Sequence, residues 1–193
     1  MRQPPRDLFD NPESIYLLNH SVGRPPRSTA EALRAGYLEP WQQAGEAVWP
    51  RSLDNIDRFR LALGALLDAD PGGFCPQTNL SSALTKIVLS RAVDPQRPVL
   101  LCTEHDFPSM VFVLERAQRF GFELRIIRGQ GGELLDVDTW KTHLSRDVGS
   151  VLISHVHSNS GRQVPEADRT AFTRGRNILT IVEIAQSVGC LQR

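Results

Sequence analysis

A chain of 193 residues, 40% hydrophobic and 23% charged, carries enough apolar material for a substantial core, and its composition is neither disordered nor fibrous. Its 22 basic and 22 acidic residues cancel and are spread along the chain, which leaves no electrostatic footprint for nucleic acid or an anionic membrane. No stretch approaches the roughly 18 uncharged apolar residues of a membrane span, and no apolar run follows Met1–Asp7 as in a secretory leader, so the sequence predicts a cytoplasmic protein.

Residues 1–28 are rich in Pro and Arg, with one short apolar stretch, Ile15-Tyr16-Leu17-Leu18, and read as an extended arm with a turn. Ser28 or Thr29 can cap a helix to about Gln43, with Ala32, Leu33, Gly36 and Tyr37 at helical spacing, before Pro50 breaks the pattern. Ser52 can cap a second helix, in which Ile56, Phe59, Leu63, Leu66 and Leu67 form an apolar stripe, and both helices are expected to pack against the body of the domain. Pro71-Gly72-Gly73 marks a loop, after which Asn79-Leu80-Ser81-Ser82 opens a third helix containing Ala83, Leu84, Ile87, Val88 and Ala92. From Arg97 onward, strands at 98–102, 122–128, 149–155 and 178–184 alternate with helices at 108–120, 137–145 and 165–175. That alternation predicts an α/β architecture with a parallel sheet and helical crossovers. The chain thus reads as an N-terminal arm with packing helices, 1–70, and an α/β part, 71–193.

Three of the apolar runs end in polar clusters: Val99–Cys102 into Glu104, His105, Asp106 and Phe107, Val151–Ser154 into His155, His157 and Asn159, and Ile178–Val182 into Glu183 and Gln186. In a parallel sheet all three fall at the carboxyl edge, where open α/β folds bind their ligands. Asn79, Ser81 and Ser82 stand at a helix start, whose free N–H groups attract phosphate, although the same residue types are ordinary caps. His105 and Phe107 each offer a flat ring for a planar ligand; alternatively Asp106 or Ser109 caps the next helix with Phe107 as its hydrophobic staple. His155 and His157 alternate along an extended segment and point to one side, which would suit a metal, but no third ligand has matching spacing. Asn159, just before Gly161, either reaches back over the strand ends or simply shapes a turn. Glu183 follows Leu179–Val182 and would be partly buried, so it requires a cationic partner, either a protonated ring nitrogen or an arginine such as Arg162. No Gly-x-Ser-x-Gly elbow, Gly-x-Gly-x-x-Gly fingerprint or Walker loop is present. Cys75, Cys102 and Cys190, odd in number and widely spaced, read as free thiols.

Taken in order, these segments resemble the class V aminotransferase group of pyridoxal-phosphate enzymes, within it the kynureninase and cysteine-desulfurase-like branches, from about Tyr16 to Gly189. Tyr16–Gly23 looks like the family's entry segment and Thr78–Leu84 like its phosphate-cup helix start. Phe107-Pro108-Ser109 is similar to the kynureninase ring-stacking motif, whereas Glu104-His105 is similar to the desulfurases, whose histidine stacks instead. Ser154–Gly161 resembles the segment that approaches the cofactor's phenolic oxygen, and Val182–Gly189 the Asp-x-Ala-His/Gln motif. The resemblance implies an incomplete fold type I large domain, a three-layer sandwich with a mostly parallel sheet. It also implies pyridoxal 5′-phosphate held by Asn79, Leu80, Ser81, His105, Phe107, Asn159, Glu183 and Gln186, an amino-acid substrate, and a homodimer at full length.

Two departures from the family pattern bear on activity. Glutamate stands at position 183 where the family has aspartate. The family's Schiff-base lysine lies roughly two dozen residues beyond that position, so the sequence reads as an N-terminal piece that is inactive as given. Neither lysine of the chain fits that role: Lys86 falls about a turn into the expected phosphate helix, and Lys141 in a crossover helix away from the ligand edge. The competing reading is a non-catalytic remnant, or a subunit that needs a complementary chain.

Overall fold

Apolar runs that are too hydrophobic to leave either face in water, each followed by a segment long enough to carry the chain back, are what parallel strands require. The computed structural model describes residues 6–10, 14–43, 45–46, 48–129 and 132–191. The chain divides into two compact units, Met1–Pro76 and Gln77–Arg193.

In the first unit, the helix expected from 28 to 43 is interrupted. It consists of α1 (Thr29–Leu33), a π-helical turn (Arg34–Leu38) and α2 (Glu39–Gln42). Pro40 has no N–H to offer the Gly36 carbonyl, which instead accepts from Asn55 Nδ2 at 2.8 Å, so the helical ladder loosens at this point. Ser28 is the N-cap residue, but its side chain makes no capping hydrogen bond. The next helix, α3 (Val48–Leu67), begins before Pro50 rather than after it. Proline in a first turn costs no intrahelical hydrogen bond, because the N–H groups there have no acceptor within the helix. Ser52 does not cap this helix; its Oγ donates back to the Val48 carbonyl at 2.9 Å. Ile56, Phe59 and Leu66 of the expected apolar stripe are exposed.

The second unit holds α4 (Leu80–Leu89), β1 (Val99–Thr103), α5 (Pro108–Ala117), β2 (Glu123–Ile127), α6 (Val137–His143), β3 (Val148–Ser154), α7 (Glu166–Arg174) and β4 (Leu179–Glu183). The four strands are all parallel in the order β2-β1-β3-β4. All of β1 is buried, and its alternate residues feed two separate cores. On one face Leu100, Cys102 and Leu152 pack with Leu84 and Val88 of α4 and Met110 and Leu114 of α5. On the other, Leu101, Val151 and Ile153 pack with Trp140 of α6, and Phe172 of α7 lies against them. The result is the parallel sheet expected from the alternation, in the three-layer α/β sandwich that the resemblance implied.

The amino edge is closed by Arg97, whose guanidinium donates to the carbonyls of Val148, Arg176 and Asn177 at 2.8, 3.2 and 2.9 Å. Among the described residues no helix is long and apolar enough to cross a membrane. None of the three cysteines is in a disulfide; Cys102 is buried, Cys75 and Cys190 are exposed.

Candidate active site

The start of α4 follows from one side chain. Asn79 is extended (φ −165°, ψ 169°), and its Oδ1 accepts the Ser82 N–H at 2.8 Å while its carbonyl accepts that of Ala83. The N–H groups of Leu80 and Ser81, which have no acceptor within the helix, are left for an anion. Ser81 lines one groove together with Ser109, in the first turn of α5 directly after β1. The start of α4 therefore lies at the carboxyl edge, on the face that α4 and α5 cover.

At the end of β1 the four residues of the cluster, Glu104, His105, Asp106 and Phe107, separate. Glu104 Oε1 accepts the Gly129 N–H at 2.9 Å, binding the β1 and β2 ends together. Asp106 is buried and turns inward: Oδ2 accepts from Thr103 N at 2.7 Å and Thr103 Oγ1 at 3.0 Å, and Oδ1 accepts from Ser154 N at 3.2 Å. It is not the cap of α5. That position belongs to Phe107, which caps through its backbone alone and leaves its ring 48% exposed. The half-buried His105 instead faces the buried His157, with ring centroids 5.5 Å apart and planes inclined by 58°.

The two histidines after β3 reach different loops, which excludes the shared metal face considered from their spacing. His157 meets His105 of the β1 loop, whereas His155 Nδ1 lies 3.0 Å from Ser187 Oγ in the β4 loop. Among the described residues no group of three or more His, Cys, Asp or Glu is placed to hold a metal. Asn159 is exposed in the turn that precedes Gly161, at φ +66°.

Glu183 ends β4 beside Ser154 of β3. Alternation from Ile181, which packs on the α4–α5 core, directs its side chain to that same face. It is 9% exposed, Oε1 accepts the Ala185 N–H at 2.5 Å, and it makes no ion pair among the described residues; Arg162 is not its partner. The neighbouring Ser154 Oγ is also buried and without a hydrogen-bond partner among the described residues. Gln186 is half-buried in the turn that follows.

The structure therefore brings the α4 start, His105, Glu183 and Gln186 to one edge, leaves Asn159 and Phe107 at its surface, and adds Asp106, His157, Ser154 and Ser187 as supporting side chains. Asp106 had a sequence signal, since Thr103 and Asp106 stand three apart just after an apolar run, but that signal reads equally well as a helix cap. Both lysines are engaged by other side chains: Lys86 Nζ reaches back along α4 and donates to Gln77 Oε1, just before the helix start, and Lys141 Nζ pairs with Asp138 at 2.6 Å on the exposed side of α6.

Residues 74–192 match the family profile described as Aminotransferase class-V. A kynureninase of Deinococcus radiodurans is 26% identical over 192 residues, covering 95% of this chain and 45% of that protein. Among solved structures, a lysine-to-alanine mutant of C-DES with glycine covalently linked to its PLP cofactor superposes with a TM-score of 0.76 at 25% identity, over 88% of this chain and 46% of that one. C-DES is described elsewhere as a cystine C–S lyase. DndA from Streptomyces lividans shares the fold, with a TM-score of 0.72 at 16% identity over 84% and 47% of the two chains. The chain spans somewhat less than half the length of these proteins.

Proposed function

The chain belongs to the aminotransferase class-V family, and from that premise we propose that its carboxyl edge is the phosphate- and ring-binding part of a pyridoxal 5′-phosphate site in an enzyme acting on an amino acid. The observation that carries the reading is Glu183: a buried carboxylate at a strand end, without a cation among the described residues, on the same edge and face as a helix start whose first N–H groups have no acceptor within the helix. A buried negative charge needs a positive partner, and a protonated ring nitrogen provides one.

The donor set fits the group. Asn79 fixes the helix start so that the N–H groups of Leu80 and Ser81 receive the phosphate, with the helix dipole adding to the attraction. Glu183 holds the proton on the pyridine nitrogen. His105, which packs against the buried His157, is assigned the stacking ring in preference to the more exposed Phe107. Gln186 and Asn159 are assigned to the phenolic oxygen. When bound, the cofactor supplies an electron-withdrawing ring that stabilises negative charge on the substrate carbon.

The relatives named above include a kynureninase and a C–S lyase, so the proposed chemistry is carbon–carbon or carbon–sulfur cleavage, or amino transfer; a cytoplasmic homodimer is the setting proposed for it from the sequence reading alone. A second reading, a chain that is non-catalytic or completed by another chain, is favoured by one observation: Lys86 and Lys141 are both engaged by other side chains, Gln77 and Asp138. Equilibrium dialysis with pyridoxal 5′-phosphate, followed by borohydride reduction and mass spectrometry, tests both. The expected result is reversible binding that depends on the phosphate and is weakened by Asn79→Ala and Glu183→Ala, with no lysine adduct. Binding indifferent to both substitutions would overturn the site, and a stoichiometric adduct on Lys86 or Lys141 would overturn the second reading.

A further inference from the structure

His155 has no place in the cofactor contacts proposed above, yet it is 7% exposed and is tied to three segments. Its backbone N–H donates to the Glu183 carbonyl at 2.8 Å, and its own carbonyl accepts from Val164 N at 2.8 Å. Its ring lies between Gln163 and Ser187, with Nε2 3.3 Å from the Gln163 side-chain nitrogen and Nδ1 3.0 Å from Ser187 Oγ.

One direction of donation satisfies these contacts. With the Gln163 side-chain nitrogen as donor, the ring nitrogen facing it accepts and the imidazole proton is assigned to Nδ1. Nδ1–H then donates to Ser187 Oγ, and the Ser187 hydroxyl donates to the Ile184 carbonyl at 3.2 Å. That carbonyl already accepts the N–H groups of Ser187 and Val188, both at 3.0 Å, and is the hub of the turn. Glu183 precedes this turn and Gln186 lies within it.

We propose that His155 is a positioning residue: held as the Nδ1–H tautomer, it locks the turn carrying Glu183 and Gln186 against the end of β3. The alternative is a histidine that merely fills space. A filler is indifferent to its tautomer and is not rescued by a side chain that restores one donor. The locking rests on the hydrogen bonds alone; its consequence for a ligand rests on the cofactor reading above.

The test uses the whole 193-residue chain. Nitrogen NMR of 15N-histidine-labelled protein at neutral pH is expected to show His155 protonated at Nδ1 and bare at Nε2; the opposite tautomer or an imidazolium would overturn the relay. His155→Ala is expected to speed amide exchange at Ser187 and Val188 about tenfold and to weaken pyridoxal 5′-phosphate binding by a similar factor. His155→Asn, whose amide can occupy the Nδ1 position, is expected to restore most of both, and Ser187→Ala to match His155→Ala with no further loss in the double variant. Unchanged exchange in His155→Ala, or faster exchange with unchanged cofactor affinity, would overturn the positioning role. Should the unmodified chain fail to bind the cofactor, the site reading falls, while the tautomer and exchange results still judge the lock.

Discussion

Asp106 and Ser154, 48 positions apart, are joined across the ends of β1 and β3 by a 3.2 Å hydrogen bond from the Ser154 N–H to Asp106 Oδ1. The other oxygen of the same carboxylate holds both the N–H and the hydroxyl of Thr103. One buried side chain thereby sets the separation of two strand ends that carry candidate site residues.

Asp106→Ala would leave the Thr103 and Ser154 N–H groups buried and unpaired. Each such group costs about 1–3 kcal/mol, so a loss of about 3 kcal/mol is expected, read as a lower urea midpoint with unchanged slope. Asp106→Asn keeps one accepting oxygen and should lose roughly half as much.

Gly149 lies in β3 where the chain passes close to Arg97: a Cβ added there would sit 2.2 Å from the Arg97 carbonyl oxygen. The obstacle is backbone, and Arg97 is itself fixed by its hydrogen bonds to three carbonyls of the amino edge. Gly149→Ala should therefore destabilise by about 2 kcal/mol or more, whereas the same change at Gly132, where a Cβ meets nothing within 4 Å, should be nearly neutral. Parallel urea melts of the two variants check the contrast.

Much of this arrangement was legible in the sequence. The alternation from Arg97 onward gave the parallel sheet, because β1 and β3 are apolar enough to require cover on both faces. The ordered segments pointed to the family that the profile match and the structural relatives support. The ties that gather the clusters were not legible. Asp106 reaching Ser154 and His155 reaching Ser187 both depend on β3 lying between β1 and β4, and strand order is a tertiary outcome. At Arg34–Leu38 the local cause, Pro40, was legible, but the side chain that takes up the Gly36 carbonyl, Asn55, is 19 residues away and was not. Pro50 misled because proline breaks a helix interior but fits a first turn.

Asp147 carries a pH prediction. The Arg125 guanidinium, at 2.6 Å, and the Ser145 hydroxyl lower its carboxyl from the ordinary 3.8 to about 2. A folded-state value below the unfolded one contributes stability above about pH 4 that is lost as pH falls toward 2. Both side chains are about a third exposed, so solvent screening holds the contribution below about 1 kcal/mol. The gap in urea midpoint between the native chain and Asp147→Asn should be present at pH 6 and close near pH 2.

Cys102 is fully buried, and burial, with Asp106 and Glu115 adding to it, pushes its thiol up to about 12. At pH 8 its thiolate fraction is then about one in ten thousand, and the thiolate is the reactive form. Titration of the folded chain with a disulfide reagent should release two equivalents, from the exposed Cys75 and Cys190, and the third only after unfolding. Fast release of a third equivalent under native conditions would show that the α4–α5 core opens.

Glu183 separates a functional carboxylate from a structural one. A structural carboxylate satisfied by its own protein stabilises it, and its neutral amide analogue costs stability. Glu183 is buried and accepts the Ala185 N–H, but no cation of the described residues offsets its charge. Glu183→Gln keeps the volume and the accepting oxygen while removing the uncompensated charge. The ligand-free variant should therefore be as stable as the native chain, or more stable by about 1 kcal/mol. The same change removes the group assigned to the pyridine nitrogen, so pyridoxal 5′-phosphate affinity should fall at least tenfold, as the cost of leaving a buried ring cation unpaired. Urea melts and equilibrium dialysis on one preparation read the two effects together. A variant that is less stable yet binds the cofactor as well as the native chain would make Glu183 a structural acid and remove the central support of the proposed site.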